Sequence, residues 1–137
     1  MIEYILVSDR HFQLWGYTTT HRTLVVRSIL KDSLFGQPNI ELVCVNVVAS
    51  IIHSDYHGLR VRSASAAERN KAGTLLNLES STMESREVLA LESESFLDFV
   101  VCGGSKVVED DNVGHSSSLR FSTIDEGGVD ERRNRAR

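Results

Sequence analysis

Two stretches of the chain are apolar on both of the faces that a β-strand presents, and they constrain the fold more than any other feature. They are residues 39–48 and 96–102. Apolar side chains occupy both odd and even positions within each stretch, as in Leu42 and Val43. A strand of this kind has to be covered on two sides, so it is expected in the interior of a sheet. The sequence therefore predicts a β-sheet core.

Other segments add strands to this core. The stretch LWGYTTTHRTLVVRS, Leu14 to Ser28, is rich in aromatic and β-branched residues and has a polar interruption at residues 18–23. It is predicted to form a hairpin in which Trp15 and Tyr17 share a face. After a turn predicted at residues 54–58, apolar and basic residues alternate from Leu59 to Arg62, which is typical of a half-exposed strand.

Helical signals are few. Ser65 and Glu68 have the spacing of a capping box, and Gly73 supplies a stop, which together predict one short helix over residues 66–72. Ser81 and Glu84 repeat this spacing, but the following residues are also compatible with a strand. The sequence leaves open whether residues 82–90 are helix or strand.

The chain has 137 residues, 41% hydrophobic and 25% charged, and this amounts to one soluble domain. Residues 112–137 are dominated by serine, glycine and charge, so they are expected to form a flexible charged tail. The prediction is a single mainly β domain over residues 1–111, an antiparallel sandwich or partly closed barrel of six to eight strands with one short helix.

The two cysteines, Cys44 and Cys102, lie 58 positions apart and have no metal-ligand spacing. Both sit in apolar runs, so they are expected to be buried, free thiols. A disulfide would require strands that bring them together, which the sequence does not decide. The chain carries no phosphate-loop, dinucleotide, nucleophile-elbow, zinc-protease or calcium-loop motif, and this favours a non-catalytic protein without a cofactor.

Negative charge is concentrated in the second half of the chain. Residues 79–111 hold nine carboxylates and only two basic side chains. This excess would repel nucleic acid and anionic lipid and attract a basic partner. No apolar run is long enough to span a membrane and the N-terminus lacks the basic start of a signal peptide, so a cytoplasmic location is expected. The acidic face is predicted to comprise Glu87, Glu92, Glu94, Asp98, Glu109, Asp110 and Asp111.

Two groups of residues are candidates for a site. Trp15, Tyr17, His21 and Arg27 have the side-chain types of a recognition surface, and also those of cross-strand packing. The second group consists of His53, Asp55 and His57, which carry ligand types that zinc accepts. Because this second group is predicted to lie in a surface turn and not on a helix, no metal site is assigned to it.

The hairpin residues also carry a resemblance. The pattern W15-x-Y17-x3-H21-x2-L24-x2-R27-S28, followed by G58-L59-R60-V61, resembles a family of small bacterial, mainly actinobacterial, proteins of unknown function. The resemblance covers residues 11–62. It implies a compact β-rich domain and transfers no activity, cofactor or catalytic residue.

The function favoured by these observations is that of a small intracellular interaction protein, an immunity-like or accessory factor, which presents its acidic face to a basic partner. The alternative is a small-molecule-binding barrel or enzyme whose pocket is lined by Trp15, Tyr17, His21 and Arg27. A homodimer formed through a strand edge is a third hypothesis.

Overall fold

The computed structural model describes residues 2–28 and 39–110, the side chain of Asp110 excepted. These residues form a mainly β domain with eight strands and two helices, which confirms the predicted fold class. In chain order the elements are β1 Tyr4–Thr18, β2 Thr23–Ser28, β3 Asn39–Val45, β4 Ala49–Ile51, β5 Asp55–Ser63, α1 Ala66–Leu75, α2 Ser80–Glu84, β6 Glu87–Glu92, β7 Leu97–Cys102 and β8 Gly104–Asp110.

All the strands belong to one antiparallel sheet in the order β4-β7-β6-β5-β1-β2-β3-β8. The two strands that are apolar on both faces, β3 and β7, each lie between two neighbours, as their sequences predict. The hairpin prediction is also confirmed, because β1 pairs with β2 from Phe12 opposite Ser28 to Thr18 opposite Thr23.

The two ends of this sheet meet at a bend. β3 runs into β4 through Asn46, and β7 runs into β8 at Gly103. The Gly103 N–H donates to the carbonyl oxygens of Val45 and Asn46, at 2.9 and 3.1 Å, and the Val48 N–H donates to Val101 O at 2.8 Å. The strand ladder is not closed, but the sheet curls far enough for its ends to be hydrogen-bonded across the bend, giving a partly closed barrel.

The sheet buries apolar side chains on both faces. The larger cluster fills the inside of the curl, where strand after strand contributes fully buried residues such as Phe12, Leu42 and Leu89. The smaller cluster lies on the outer side of β6 and β7, where the helices cover Val88, Phe99 and Val101. The two faces of β7 are therefore both packed, which is why its sequence shows no polar alternation.

The helical region resolves the open question about residues 82–90. Ser65 and Glu68 form the predicted capping box at the start of α1. A second short helix, α2, ends at Glu84, and strand β6 begins at Glu87, so the segment contains both elements. The predicted turn at residues 54–58 is misplaced, because β5 already begins at Asp55, which pairs with Gln13.

Some sequence predictions fall outside the described residues. The predicted tail, residues 112–137, and the domain boundary at 111 belong there. Within the described residues, no helix is both long enough and apolar enough to cross a membrane.

Gly58 provides a test of the sheet geometry. It lies on β5 opposite a bulge in β1, where the register shifts between Ser8 and His11, and its φ is +82°. Gly58→Ala is expected to lower the free energy of unfolding by about 1–2 kcal/mol, because a side chain disfavours this backbone conformation. Gly104→Ala is the matched control, since its Cβ would meet Val45 at an ordinary 3.7 Å and its φ is not positive. Urea unfolding of both variants measures the difference, and equal effects would contradict the prediction.

Candidate functional site

Trp15 lies at an irregularity in β1. Its neighbours Leu14 and Gly16 pair with Val26 and Val25, so Trp15 is an extra residue that forms a β-bulge. The guanidinium carbon of Arg27 lies 4.7 Å from the centre of the Trp15 ring. The Nε of Arg27 is 3.4 Å from Glu41 Oε2, and both of these charged side chains are buried. Trp15 therefore covers a buried ion pair on the outer face of the sheet.

Tyr17 and His21 do not join Trp15 and Arg27 in one site. Beyond the bulge, Tyr17 pairs with Leu24, whose side chain belongs to the interior cluster. The bulge therefore places Tyr17 on the face opposite to Trp15, contrary to the prediction that the two share a face. His21 lies in the turn that joins β1 to β2. None of the four residues lines the clefts described below, so the structure does not favour a common pocket.

A second group of polar side chains is built around Asp98, which is buried at the start of β7. Its Oδ2 accepts hydrogen bonds from the Tyr56 hydroxyl at 2.7 Å and from the backbone N–H of His53 at 2.9 Å. The same oxygen lies 2.7 Å from His53 Nδ1. Burial and the bond to Asp98 raise the pKa of Tyr56 well above its ordinary value, so this hydroxyl stays protonated and acts as a donor.

His53 lies over this cluster. Its ring stacks on Phe96 with centroids 3.7 Å apart, and its side chain is half exposed. A buried carboxylate that orients an imidazole also occurs in general bases, which pair with a hydroxyl or thiol nucleophile. Within residues 2–28 and 39–110, no hydroxyl or thiol of Ser, Thr or Cys hydrogen-bonds to His53. These contacts hold the segment between β4 and β5 against the start of β7.

Two other histidines, His11 and His57, contact each other. The His11 and His57 rings stack at 4.4 Å, and His11 Nε2 lies 2.9 Å from Asp55 Oδ1. The bond to His11 lowers the pKa of Asp55. His53, Asp55 and His57, the metal candidates, thus have three different sets of contacts. No group of three metal-ligating side chains converges in the part of the chain that the structure describes.

The carboxylates of the predicted acidic face are dispersed over several elements. Glu87 accepts a hydrogen bond from Ser105 at 3.0 Å, Glu92 pairs with two arginines, and Asp98 is buried. Glu94 and Glu109 are exposed. Asp111 and the side chain of Asp110 lie outside the described residues. The charge excess read from the sequence therefore does not translate into one free acidic face built from these seven residues.

A charged network fastens α1 to the sheet. Arg62 on β5 donates two hydrogen bonds to the carboxylate of Glu68, at 2.6 and 2.9 Å, and one from Nε to Glu92 at 2.5 Å. Glu68 also accepts the backbone N–H of Ser65, which starts the helix. Arg62 first, and Ser65 second, hold the pKa of Glu68 at about 2, below its ordinary value of 4.5. Glu68 thus links the helix cap to the sheet.

This network predicts a pH dependence of stability. Because the pKa of Glu68 is lower in the folded chain, its contribution is complete above pH 4.5 and is lost as the pH falls toward 2. Glu68→Gln is expected to flatten this acid limb of the stability curve, and Arg62→Gln should flatten the same limb. Unfolding midpoints measured across this pH range provide the test. A Glu68→Gln variant with the wild-type acid dependence would refute the assignment.

The Asp98 cluster predicts a large effect on stability. Asp98→Ala leaves the Tyr56 hydroxyl without its acceptor and removes the shorter of the two hydrogen bonds that the His53 N–H donates, so it is expected to cost about 2–4 kcal/mol. Tyr56→Phe removes one donor and should cost about 1–2 kcal/mol. Asp55→Ala is the control, since this exposed carboxylate should matter little. Denaturant unfolding gives all three values, and equal losses for Asp98→Ala and Asp55→Ala would contradict the structural role of Asp98.

A different part of β1 carries the most exposed apolar side chains. Ile2, Tyr4, Ile5 and Val7, here termed the β1 apolar surface, include two side chains that are 60% and 64% exposed, Ile2 and Val7. Ile2, Tyr4 and Ile5 line a shallow cleft of about 690 Å³ beside the start of α1, and Val7 lines a second cleft of about 490 Å³. Arg60 lies between the two clefts. It pairs opposite Val7 on the neighbouring strand, and its guanidinium carbon lies 5.9 Å from the centre of the Tyr4 ring.

Carboxylates surround the β1 apolar surface. Glu3 lines the first cleft, and Asp9 and Glu94 line the second. All three are exposed and none has an ion pair with a described residue. The two arginines nearby, Arg60 and Arg62, are already paired with Glu92 and Glu68. The rim of the apolar surface is therefore anionic.

Sequence reasoning missed this surface. The run of apolar residues from Ile2 to Val7 looks like the start of a buried strand, and its exposure depends on two irregularities in the β1 to β5 register. Only Glu94 of the rim belongs to the predicted acidic face. The sequence signal for this surface was the position of two acidic residues, Glu3 and Asp9, beside these apolar residues.

Comparison of the chain with protein-family models, with curated proteins and with solved structures finds no match. The resemblance to small actinobacterial proteins accordingly stays a prediction.

Proposed function

We propose that the chain is a non-catalytic interaction protein that binds a basic partner through the β1 apolar surface and its carboxylate rim. The observation that carries the proposal is the placement of exposed apolar residues. Four of the ten large apolar side chains that are exposed among the described residues lie together on this surface, within residues 2–7. Exposed apolar patches with a polar rim are characteristic of protein-binding surfaces.

The interior of the barrel is filled with side chains, which supports a function at the protein surface. Residues from six strands fill the interior, with Phe12, Leu42 and Tyr56 completely buried. The Tyr56 hydroxyl is hydrogen-bonded to Asp98, which is also buried. The clefts beside β1 are shallow and lined by both charged and apolar side chains, which suits the side chains of a protein partner better than a small ligand.

Electrostatics suggest the chemistry of the partner. Among the described residues, Glu3, Asp9 and Glu94 have no ion-pair partner, while the nearby arginines are paired. A partner segment with apolar side chains flanked by lysine or arginine complements this pattern. The proposed partner is basic, as the sequence analysis inferred. Its proposed binding site is the β1 apolar surface and not the set of seven predicted carboxylates. An intracellular accessory or immunity-like role is consistent with such a surface.

The test uses surface variants of the full chain as bait in lysate of the organism that encodes it. The double variant Ile5→Asp, Val7→Asp is expected to weaken binding of the captured partner by on the order of 30-fold, about 2 kcal/mol, because it places charge at the apolar centre. Leu75→Asp is the matched control, since Leu75 is 56% exposed on α1, away from this surface. Affinities of the purified partner complete the comparison.

Two outcomes would contradict the proposal. One is a partner that binds the double variant as tightly as the wild type, or that loses affinity equally for Leu75→Asp. The other is a homodimer, seen by light scattering, that the double variant disrupts, because the surface would then serve self-association. The triple variant Glu3→Gln, Asp9→Asn, Glu94→Gln should reduce the salt dependence of binding if the rim attracts a basic partner.

A further inference from the structure

The two cysteines, far apart in the sequence, meet at the bend where the sheet ends join. Cys44 lies near the end of β3 and Cys102 at the end of β7. The residue after Cys102, Gly103, donates its N–H to the carbonyl of Val45, the residue after Cys44. Both cysteines belong to the interior cluster and are completely buried. The bend thus brings the two side chains to the same region inside the barrel.

Side-chain contacts also connect the regions around Cys44 and Cys102. Cys44 pairs opposite Ser105, and Cys102 pairs opposite Glu87. Ser105 donates to Glu87 Oε1 at 3.0 Å, and Cys102 Sγ lies 4.0 Å from the same oxygen. Val45 and Gly103, the residues that follow the two cysteines, are hydrogen-bonded at 2.9 Å, so the two buried thiols are neighbours inside the barrel. Both are free in this structure, so the reduced pair is already arranged side by side.

We propose that Cys44 and Cys102 form a peroxide-oxidisable pair whose disulfide staples the two ends of the sheet. This inference is independent of the β1 apolar surface. A disulfide here would link β3 to β7 directly and close a loop of 58 positions, next to the backbone hydrogen bonds that cross the bend. Glu87 is only partly buried, so the pair lies next to a side chain that reaches solvent.

The chemistry balances with hydrogen peroxide as the oxidant. The Cys102 sulfur, as thiolate, attacks one peroxide oxygen, the O–O bond breaks, and the released hydroxide takes up the thiol proton to form water. The Cys44 sulfur then attacks the sulfenic acid sulfur of Cys102, the S–S bond forms, and a second water leaves with the Cys44 proton. Two thiols and one peroxide thus give one disulfide and two waters.

The pKa values of the two thiols support this order of events. The neighbouring Cys44 lowers the pKa of Cys102, while the neighbouring Cys102 and burial raise the pKa of Cys44. Cys102 is therefore the thiol that ionises first and attacks the oxidant, and Cys44 is the thiol that resolves the sulfenic acid.

The test treats the reduced, native full chain with hydrogen peroxide and then counts thiols by alkylation under denaturing conditions. Both thiols are expected to disappear together, with a mass loss of two hydrogen atoms in a monomer, and to return with dithiothreitol. Because the cross-link restricts the unfolded chain, the thermal unfolding midpoint of the oxidised protein should rise by about 5 °C or more.

The proposal is overturned if both thiols remain alkylatable, if the chain gains oxygen atoms that dithiothreitol does not remove, or if disulfide-linked dimers form. It is also overturned if the oxidised chain has the unfolding midpoint of the reduced chain or a lower one. Cys44→Ala is the matched control. Without a second thiol to form the disulfide, Cys102 in this variant should gain oxygen when the protein is treated with peroxide. The wild-type measurement decides the question even if this variant does not fold.

Discussion

The structure depends on the hydrogen bonds that Gly103 makes to Val45 and Asn46 across the bend in the sheet. They act together with the pairing of β4 with β7 and of β8 with β3, the strands that follow directly on each side of the bend. The sheet thereby curls on itself and its inner side chains pack against one another. The filled interior and the meeting of the two cysteines both follow from this curl.

Hydrogen bonds between polar side chains also stabilise the curled sheet. Asp98 collects donors from Tyr56 and His53 at the start of β7, and Arg62 joins Glu68 to Glu92 where α1 meets the sheet. Buried charge is tolerated in both places because each carboxylate is hydrogen-bonded. His53, one of the metal-ligand candidates in the sequence, thus contributes hydrogen bonds that hold the fold together.

The functional argument rests on what the fold leaves exposed. An apolar core of this size accommodates the inner faces of its strands, but the outer side of the N-terminal half of β1 stays open to solvent, with Val7 64% exposed. Exposure of this kind has an energetic cost in water, which binding to a partner would remove. The carboxylates at its rim give the surface a preference among partners, because charge complementarity selects orientation as well as identity.

The sequence by itself determined the β class, the interior positions of β3 and β7, the β1 to β2 hairpin and the capped helix α1, because periodicity and capping are local properties of the chain. Only the tertiary structure decided that Trp15 and Tyr17 face opposite sides, since the bulge between them depends on pairing with β2. Only the tertiary structure brought Asp98 to His53, Cys102 to Cys44, and left Val7 exposed. These relations join residues far apart in sequence, and they arise from strand register, which no local pattern encodes.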